Sequence, residues 1–311
     1  MSETAVDVLY GGETSLLFGL QTNADPTVPL ASGSLVSAGF VGVPGIAQNS
    51  TLDMVRPLGT FLTPQINVMD YAATLTITQD LQDASILATG IRNTTGANAG
   101  RLNYYTALFG NADVARVVIG AKCSSLDISI PRVGKAQVTA TYEALLTAPT
   151  STAPVAMTYS TPKPFYGYSL AFNLGATGYS KLIKSVRINI SHTLERLPPT
   201  FYVNASTPTT QLVSSYIKEK QQSVKVTLEL YNPISKLTAA SIADVCANVT
   251  SITAVLKDPC YVTAARTLTL TVPTLTFSAD SLQAGSGQDM LNFTAEGTGS
   301  DLTVVYVPGT P

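Results

Sequence analysis

Apolar and polar residues alternate strictly along several stretches of the chain. Val186, Ile188 and Ile190 are separated by Arg187 and Asn189, and Val224, Val226, Leu228 and Leu230 by Lys225, Thr227 and Glu229. Leu268, Leu270 and Val272 alternate with Thr267, Thr269 and Thr271. In the first half, Ala73, Leu75 and Ile77 alternate with Thr74, Thr76 and Thr78, and Leu126, Ile128 and Ile130 with Asp127 and Ser129. A period of two predicts strands with one covered face, as in antiparallel sheets. Helix signals are few. Thr238 followed by Ile242, Val245, Cys246 and Val249 on one face predicts a short helix in the second half. Leu102, Tyr105 and Phe109, stopped by Gly110, predict another in the first. The expectation is a mainly-β chain with about one short flanking helix per half.

The two halves resemble each other in order. LDISIPRV at 126–133 matches LTLTVPTL at 268–275, and TLDMVRPLGTF at 51–61 matches TLERLPPTF at 193–201. Both matches are offset by the same amount, since 268 − 126 and 193 − 51 both equal 142. AATLTI at 72–77 falls opposite VTLEL at 226–230, and YGGETSLLF at 10–18 opposite YGYSLAF at 166–172. In the first match a proline is followed by a one-residue slip of the apolar phase, the mark of a bulge or kinked edge strand. Between the halves, 147–164 holds four prolines and little apolar pattern. The expectation is a duplication: a first β domain at 1–150, a Pro-rich linker at 151–164 and a second β domain at 165–311.

Composition narrows the role. The 311 residues are 45% hydrophobic, ample for a core, yet only 12% charged, about half the usual share. Net charge is −2, so no basic field is present to grip nucleic acid tightly. A surface carried by Thr, Ser, Asn and Gln fits either a Thr-rich β protein or a chain buried against copies of itself, since interface cores are depleted in charge. The acidic N-terminus lacks the basic start of a secretory signal, and no apolar run is long enough to span a membrane. A soluble chain made in the cytoplasm is expected, with no membrane partner. Cys123, Cys246 and Cys260 give no disulfide framework; Cys246 and Cys260 are either bridged or free thiols.

Catalytic patterns are missing: there is no P-loop, no GxSxG, no HExxH and no CxxC. The single histidine, His192, stands near Glu195 but on the apolar face of its strand, which predicts a packed histidine rather than half of a triad. Asp80 and Asp83 have the spacing of a capped first helical turn or a loop. The glycine-rich GSG at 285–287 reads as a loop between strands, and Tyr159, Tyr166, Tyr168 and Tyr179 as packing or interface tyrosines. No catalytic residue, metal site or cofactor is expected. The segment 204–222 reads as a long polar connection whose Gln211, Tyr216, Lys218, Glu219 and Lys220 are candidates for gripping a neighbouring copy.

The opening YGGETSLLFGLQTNADP, the strand and proline-rich exit SVRINISHTLERLPPTF, and the ending LTLTVPTLTFSADSLQAGSGQDMLNFTAEG resemble, in that order, the tail tube proteins of long-tailed bacteriophages. The resemblance implies two tandem antiparallel β-sandwich or partial-barrel domains and a non-enzymatic virion protein of the tail. It implies self-association into rings stacked as a tube, with other tail proteins as partners and DNA passing without tight binding. Members of the family commonly form six-fold rings; a duplicated chain implies three chains supplying six domains. The Thr faces of two strands, Thr74, Thr76 and Thr78 with Thr267, Thr269 and Thr271, are then the candidate lumen lining. The competing expectation is another β-rich virion or surface module, such as a head decoration, an adhesin or a carbohydrate-binding sandwich.

Overall fold

The computed structural model describes residues 15–21, 25–30, 36–37, 45–55, 65–95, 99–110, 114–150, 163–203, 210–214, 216–231, 249–258, 265–284 and 291–309. The first half contributes β1 (Ser15–Leu20), β2 (Val36–Ser37), β3 (Gly45–Val55), β4 (Gln65–Asp80), β5 (Tyr105–Gly110), β6 (Ala115–Pro131) and β7 (Gln137–Thr150). A five-residue helix α1 (Ser85–Thr89) follows β4. The second half contributes β8 (Ala171–Leu174), β9 (Thr177–Gly178), β10 (Ile183–Arg196), β11 (Pro199–Val203), β12 (Thr210–Ser214), β13 (Ile217–Tyr231), β14 (Val249–Asp258), β15 (Arg266–Ala284), β16 (Leu291–Gly299) and β17 (Thr303–Val307). The architecture is mainly antiparallel β, as the alternation predicts. Among the described residues, fifteen strands form one sheet that does not close into a barrel, and β11 and β12 pair separately.

The strand pairing repeats. In the first half the neighbours run β2-β1-β5-β6-β7-β4-β3; in the second they run β9-β8-β14-β15-β16-β13-β10. Three irregularities recur at matching places. The register slips between Thr51 and Leu52 in β3 and between Thr193 and Leu194 in β10. It slips between Tyr105 and Ala107 in β5 and between Thr250 and Ile252 in β14. It slips again between Cys123 and Ser125 in β6 and between Phe277 and Ala279 in β15. Each slip adds one extra residue, on β4 and β13 in the first pair and on β6 and β15 in the other two, so its position marks register more firmly than an apolar pattern does.

These marks correct part of the sequence alignment. β3 and β10 do stand 142 apart, but the slips set β6 and β15 apart by 277 − 123 = 154. The match of 126–133 to 268–275 is therefore out of step by twelve positions, and Leu75 corresponds to Val226 rather than lying opposite Leu228. The reason is the period itself: any two Thr-rich strands agree again after every two residues. The phase slip after proline holds in β15, where Val272 and Leu275 are buried and Pro273 is exposed. It does not hold after Pro131, which ends β6 and leaves Val133 exposed.

Two further expectations are overturned. Residues 102–110 form no helix: Tyr105–Gly110 is strand β5, paired with β1 and β6, because Tyr105, Ala107 and Leu108 are buried by neighbouring strands. Nor is 204–222 one long loop: Thr210–Ser214 pairs with Pro199–Val203, and β13 begins at Ile217. The predicted helix at 238–249, Cys246, Cys260, GSG at 285–287 and 151–162 of the linker lie outside the described residues, save for Val249, which opens β14.

The two halves share one core. Leu75, Ile77, Leu126, Ile128, Ile188 and Leu268 belong to a single buried cluster. Their union runs through a seam in which β6 leaves β5 and takes β10 as its new neighbour, from Ser125 opposite Ser191 to Pro131 opposite Ser185. Across it Leu126 meets Ile190, Ile128 meets Ile188 and Ile130 meets Val186, all buried.

Candidate functional site

The sheet has a second face, opposite the core; around the seam it is polar, while Leu17, Leu108 and Ala115 form a small apolar cluster on it at the β1–β5 end. Thr74, Thr76 and Thr78 project from β4 on this face, half-buried, as do Thr267, Thr269 and Thr271 from β15. The register aligns polar residues in rows that cross the seam. One row reads Thr78, Thr139, Asp127, Asn189, Lys225, Thr298 across β4, β7, β6, β10, β13 and β16. A second reads Thr76, Thr141, Ser125, Ser191, Ser223. In the first row Thr78 Oγ1 and Thr139 Oγ1 share a hydrogen bond of 3.0 Å.

Three cations on this face pair with carboxylates. Arg187 grips Asp127 with two nitrogens, Nε at 2.8 Å and Nη2 at 2.6 Å. Lys225 Nζ lies 2.8 Å from Glu296, and Lys184 Nζ 3.7 Å from Glu229. The Asp127 carboxylate pushes the Arg187 guanidinium further above its ordinary range by hydrogen bonding and by charge. Sequence reading singled out none of these pairs as a site. Arg187, Lys225 and Asp127 stand at the polar positions of the alternation, but only register shows which charges meet.

The lower end of the face is covered by an arm. Past its irregularity, β10 with the start of β13 reaches over the first half. Ile217 is buried with Ile119, Leu145 and Leu146, while Leu194 packs alongside. Arg196 lies 3.8 Å from Glu143 and donates to the Ala73 carbonyl. Burial raises the Glu143 carboxyl above its usual range, and Arg196 opposes that shift. Lys122 is sealed beneath the arm. Its Nζ donates to Glu219 Oε1 at 2.5 Å and to the Ile217 carbonyl, and lies 4.2 Å from the centre of the Tyr104 ring. Glu219 Oε2 accepts from the Leu102 N–H at 2.9 Å.

The residues expected to form a neighbour-gripping loop are thus divided. Lys218, Glu219 and Lys220 lie on strand β13, Tyr216 just before it and Gln211 on β12. Glu219 is turned inward onto Lys122, while Lys220 faces solvent and pairs with Glu195 at 3.1 Å. Arg92, Arg101, Lys218 and Lys220 line a shallow cleft of about 430 Å³ beside them.

Each of the remaining candidates has neighbours of its own. His192 is buried, and its Nε2–H donates to the Gly90 carbonyl at 2.9 Å; Glu195, beside it in sequence, is taken by Lys220. Burial lowers the imidazole below its ordinary range. Asp80 is buried and holds Lys135 at 2.8 Å, and Asp83 accepts from the Ser85 N–H at the start of α1. Tyr166 and Tyr168 stack at 5.4 Å, and Tyr179 is buried. Cys123 is a buried free thiol whose pKa burial pushes up to about 12. Among the described residues no group of three or more His, Cys, Asp or Glu is placed to hold a metal, and no helix is long and apolar enough to cross a membrane.

Comparison of the chain with family models and with curated proteins finds no match.

Proposed function

We propose that this chain is a structural subunit of a phage tail tube: copies join into rings, rings stack, and the polar sheet face lines the conduit through which DNA passes. The observation that carries the reading is the pair of polar rows that cross the seam, one from β4 to β16 and one from β4 to β13. A channel for a polyanion must not hold it. Each free cation in the wall would add a phosphate contact and displace counterions, and such contacts add up along the duplex. Arg187, Lys225 and Lys184 each answer to a carboxylate, which weakens the attraction of this part of the wall for a polyanion.

The repeated strand order supports a ring of quasi-equivalent units, two per chain, so that three chains supply six. Other tail proteins are the expected partners at the tube ends, and the virion tail is the expected location. The role needs no cofactor and no catalytic group. Negative-stain microscopy of the purified protein, concentrated to drive assembly, tests the reading: stacked rings with a stain-filled centre are expected, and discrete particles without a channel would refute it.

A further inference from the structure

The internal seam is a template for a contact that the described residues of one chain do not make among themselves. In the seam, β6 residues 125–131 pair with β10 residues 185–191. The register counterpart of β6 is β15, offset by 154, and that of β10 is β3, offset by 142. Among the described residues, both counterpart edges are unpaired. Beyond Thr276, β15 has β16 on one side and, among the described residues, no strand on the other. β3 has β4 on one side and, among the described residues, none on the other.

We infer that β3 of one copy pairs antiparallel with the 279–283 edge of β15 in the next, in the register of the internal seam. Asn189 opposite Asp127 then becomes Ala47 opposite Ser281, and Ile188 opposite Ile128 becomes Ile46 opposite Leu282. The contact is head-to-tail, since each copy offers one edge of each kind, and such contacts close into rings when the rotation permits. Pairing also removes two exposed sheet edges, which otherwise invite uncontrolled association.

A second observation leads to the same partner. Within the chain, the arm of β10 and β13 covers Lys122 and Glu143 of the first half. Their register counterparts in the second half, Thr276 and Thr298, are exposed. The corresponding arm is β3 and β4 beyond the Thr51/Leu52 slip, where Leu52 and Ile66 take the register places of Leu194 and Ile217. In a second copy seated by the edge pairing, that arm reaches Thr276 and Thr298 as its counterpart reaches Lys122 and Glu143.

The inference rests on the ring-forming reading and adds to it the strands and register that join the copies. Cysteine cross-linking tests it. Opposed residues of an antiparallel pair lie about 4.5–5.5 Å apart at Cα, within disulfide reach, whereas a two-residue slip moves them about 7 Å along the strand. Assembled Ala47→Cys/Ser281→Cys protein, oxidised and run without reductant, is expected to give a ladder of chain multiples that reduction collapses. Neither single variant gives it, and Ala47→Cys/Gln283→Cys, displaced by two, does not. Asp127→Cys/Asn189→Cys, at the same places of the internal seam, forms a bond within one chain and sets the yield for comparison. Rings seen by microscopy with no ladder, or with a ladder only in the displaced pair, overturn the seam and leave the ring reading standing. Single chains at every concentration overturn both.

Discussion

Lys122 and Glu219 stand 97 positions apart in the chain, yet their Nζ and Oε1 atoms lie 2.5 Å apart under the arm that the second half lays over the first. The pair is shielded from water and each member has a further partner: the Ile217 carbonyl for the ammonium, the Leu102 N–H for the carboxylate. Removing one charge strands the other, which for buried pairs costs about 3–5 kcal/mol. Lys122→Met is expected to lower the denaturant midpoint accordingly. Lys122→Met with Glu219→Leu is expected to cost less than the sum of the two single changes, a coupling that a double-mutant cycle reads directly. Additive losses would show that the pair does not act as a unit.

The exposed pairs of the polar face predict the reverse balance, with little stability at stake and more function. Arg187 with Asp127 and Lys225 with Glu296 are open to solvent, where such pairs contribute about 0.2–1 kcal/mol. Asp127→Asn with Glu296→Gln should leave the melting curve nearly unchanged while freeing two cations on the face. Duplex DNA is then expected to bind the double variant and not the parent, with an affinity that falls with salt at a slope of about −0.9 per phosphate contact. Fluorescence anisotropy across a salt series measures it. Equal, negligible binding by both proteins would count against this face as the wall of a DNA channel.

The strands were legible because their alternation is long and strict: Val224–Leu230 and Leu126–Ile130 lie where the pattern puts them, with the apolar residues buried. Register was legible only in part. Thr51 and Thr193 do correspond, but β6 and β15 were misaligned, because a two-residue period repeats its match and the deciding slip at Cys123/Ser125 leaves no mark in composition. The helical reading of Leu102, Tyr105 and Phe109 failed for a related reason. Over so short a span a spacing of three and four does not outweigh a sheet that buries Tyr105, Ala107 and Leu108. The polar face was half visible: its threonines stand out in the alternation, while the pairing of Arg187 with Asp127 depends on two strands sixty residues apart meeting in one register.

Val272 tests the central strand assignment. It is fully buried on β15 and faces Ile252 of β14. A hydroxyl in its place has no prepared partner, so Val272→Thr should cost about 1–3 kcal/mol. A carboxylate there cannot be solvated, and Val272→Asp should leave no soluble folded protein. Circular dichroism and the soluble fraction on expression check both; a folded, soluble aspartate variant would show that position 272 does not face the core.

Gly120 tests the bulge in β6. Its φ of +62° lies in the left-handed region, and a Cβ there would sit 2.6 Å from Leu145 Cδ1 and 2.8 Å from the Pro26 carbonyl oxygen. Strain and crowding together place the cost of Gly120→Ala at about 1–3 kcal/mol. Gly100, also at positive φ but with open space around it, should lose less on the same change, because only the strain remains. Chemical denaturation of the two variants compares them; equal losses would mean that contact at Gly120 adds nothing.

His192 predicts a pH dependence. Burial is the largest influence on its imidazole and lowers the pKa; Arg92 acts the same way, while the bond to the Gly90 carbonyl, Glu219 and Asp301 oppose it. The folded pKa therefore lies below the ordinary 6.5. Between the two values the unfolded chain binds a proton that the folded chain does not, so stability rises with pH across that window. The contribution is complete above about pH 6.5 and is lost as pH falls toward the folded pKa, by at most about 1.4 kcal/mol per unit. His192→Asn removes the titration. The difference in unfolding free energy between parent and variant, measured from pH 7.5 downward, cancels the carboxylates common to both, Glu143 among them. That difference is expected to be flat above neutrality and to shift against the parent as the solution is acidified. A difference that stays flat throughout would mean that His192 takes up its proton in the folded protein as easily as in the unfolded chain.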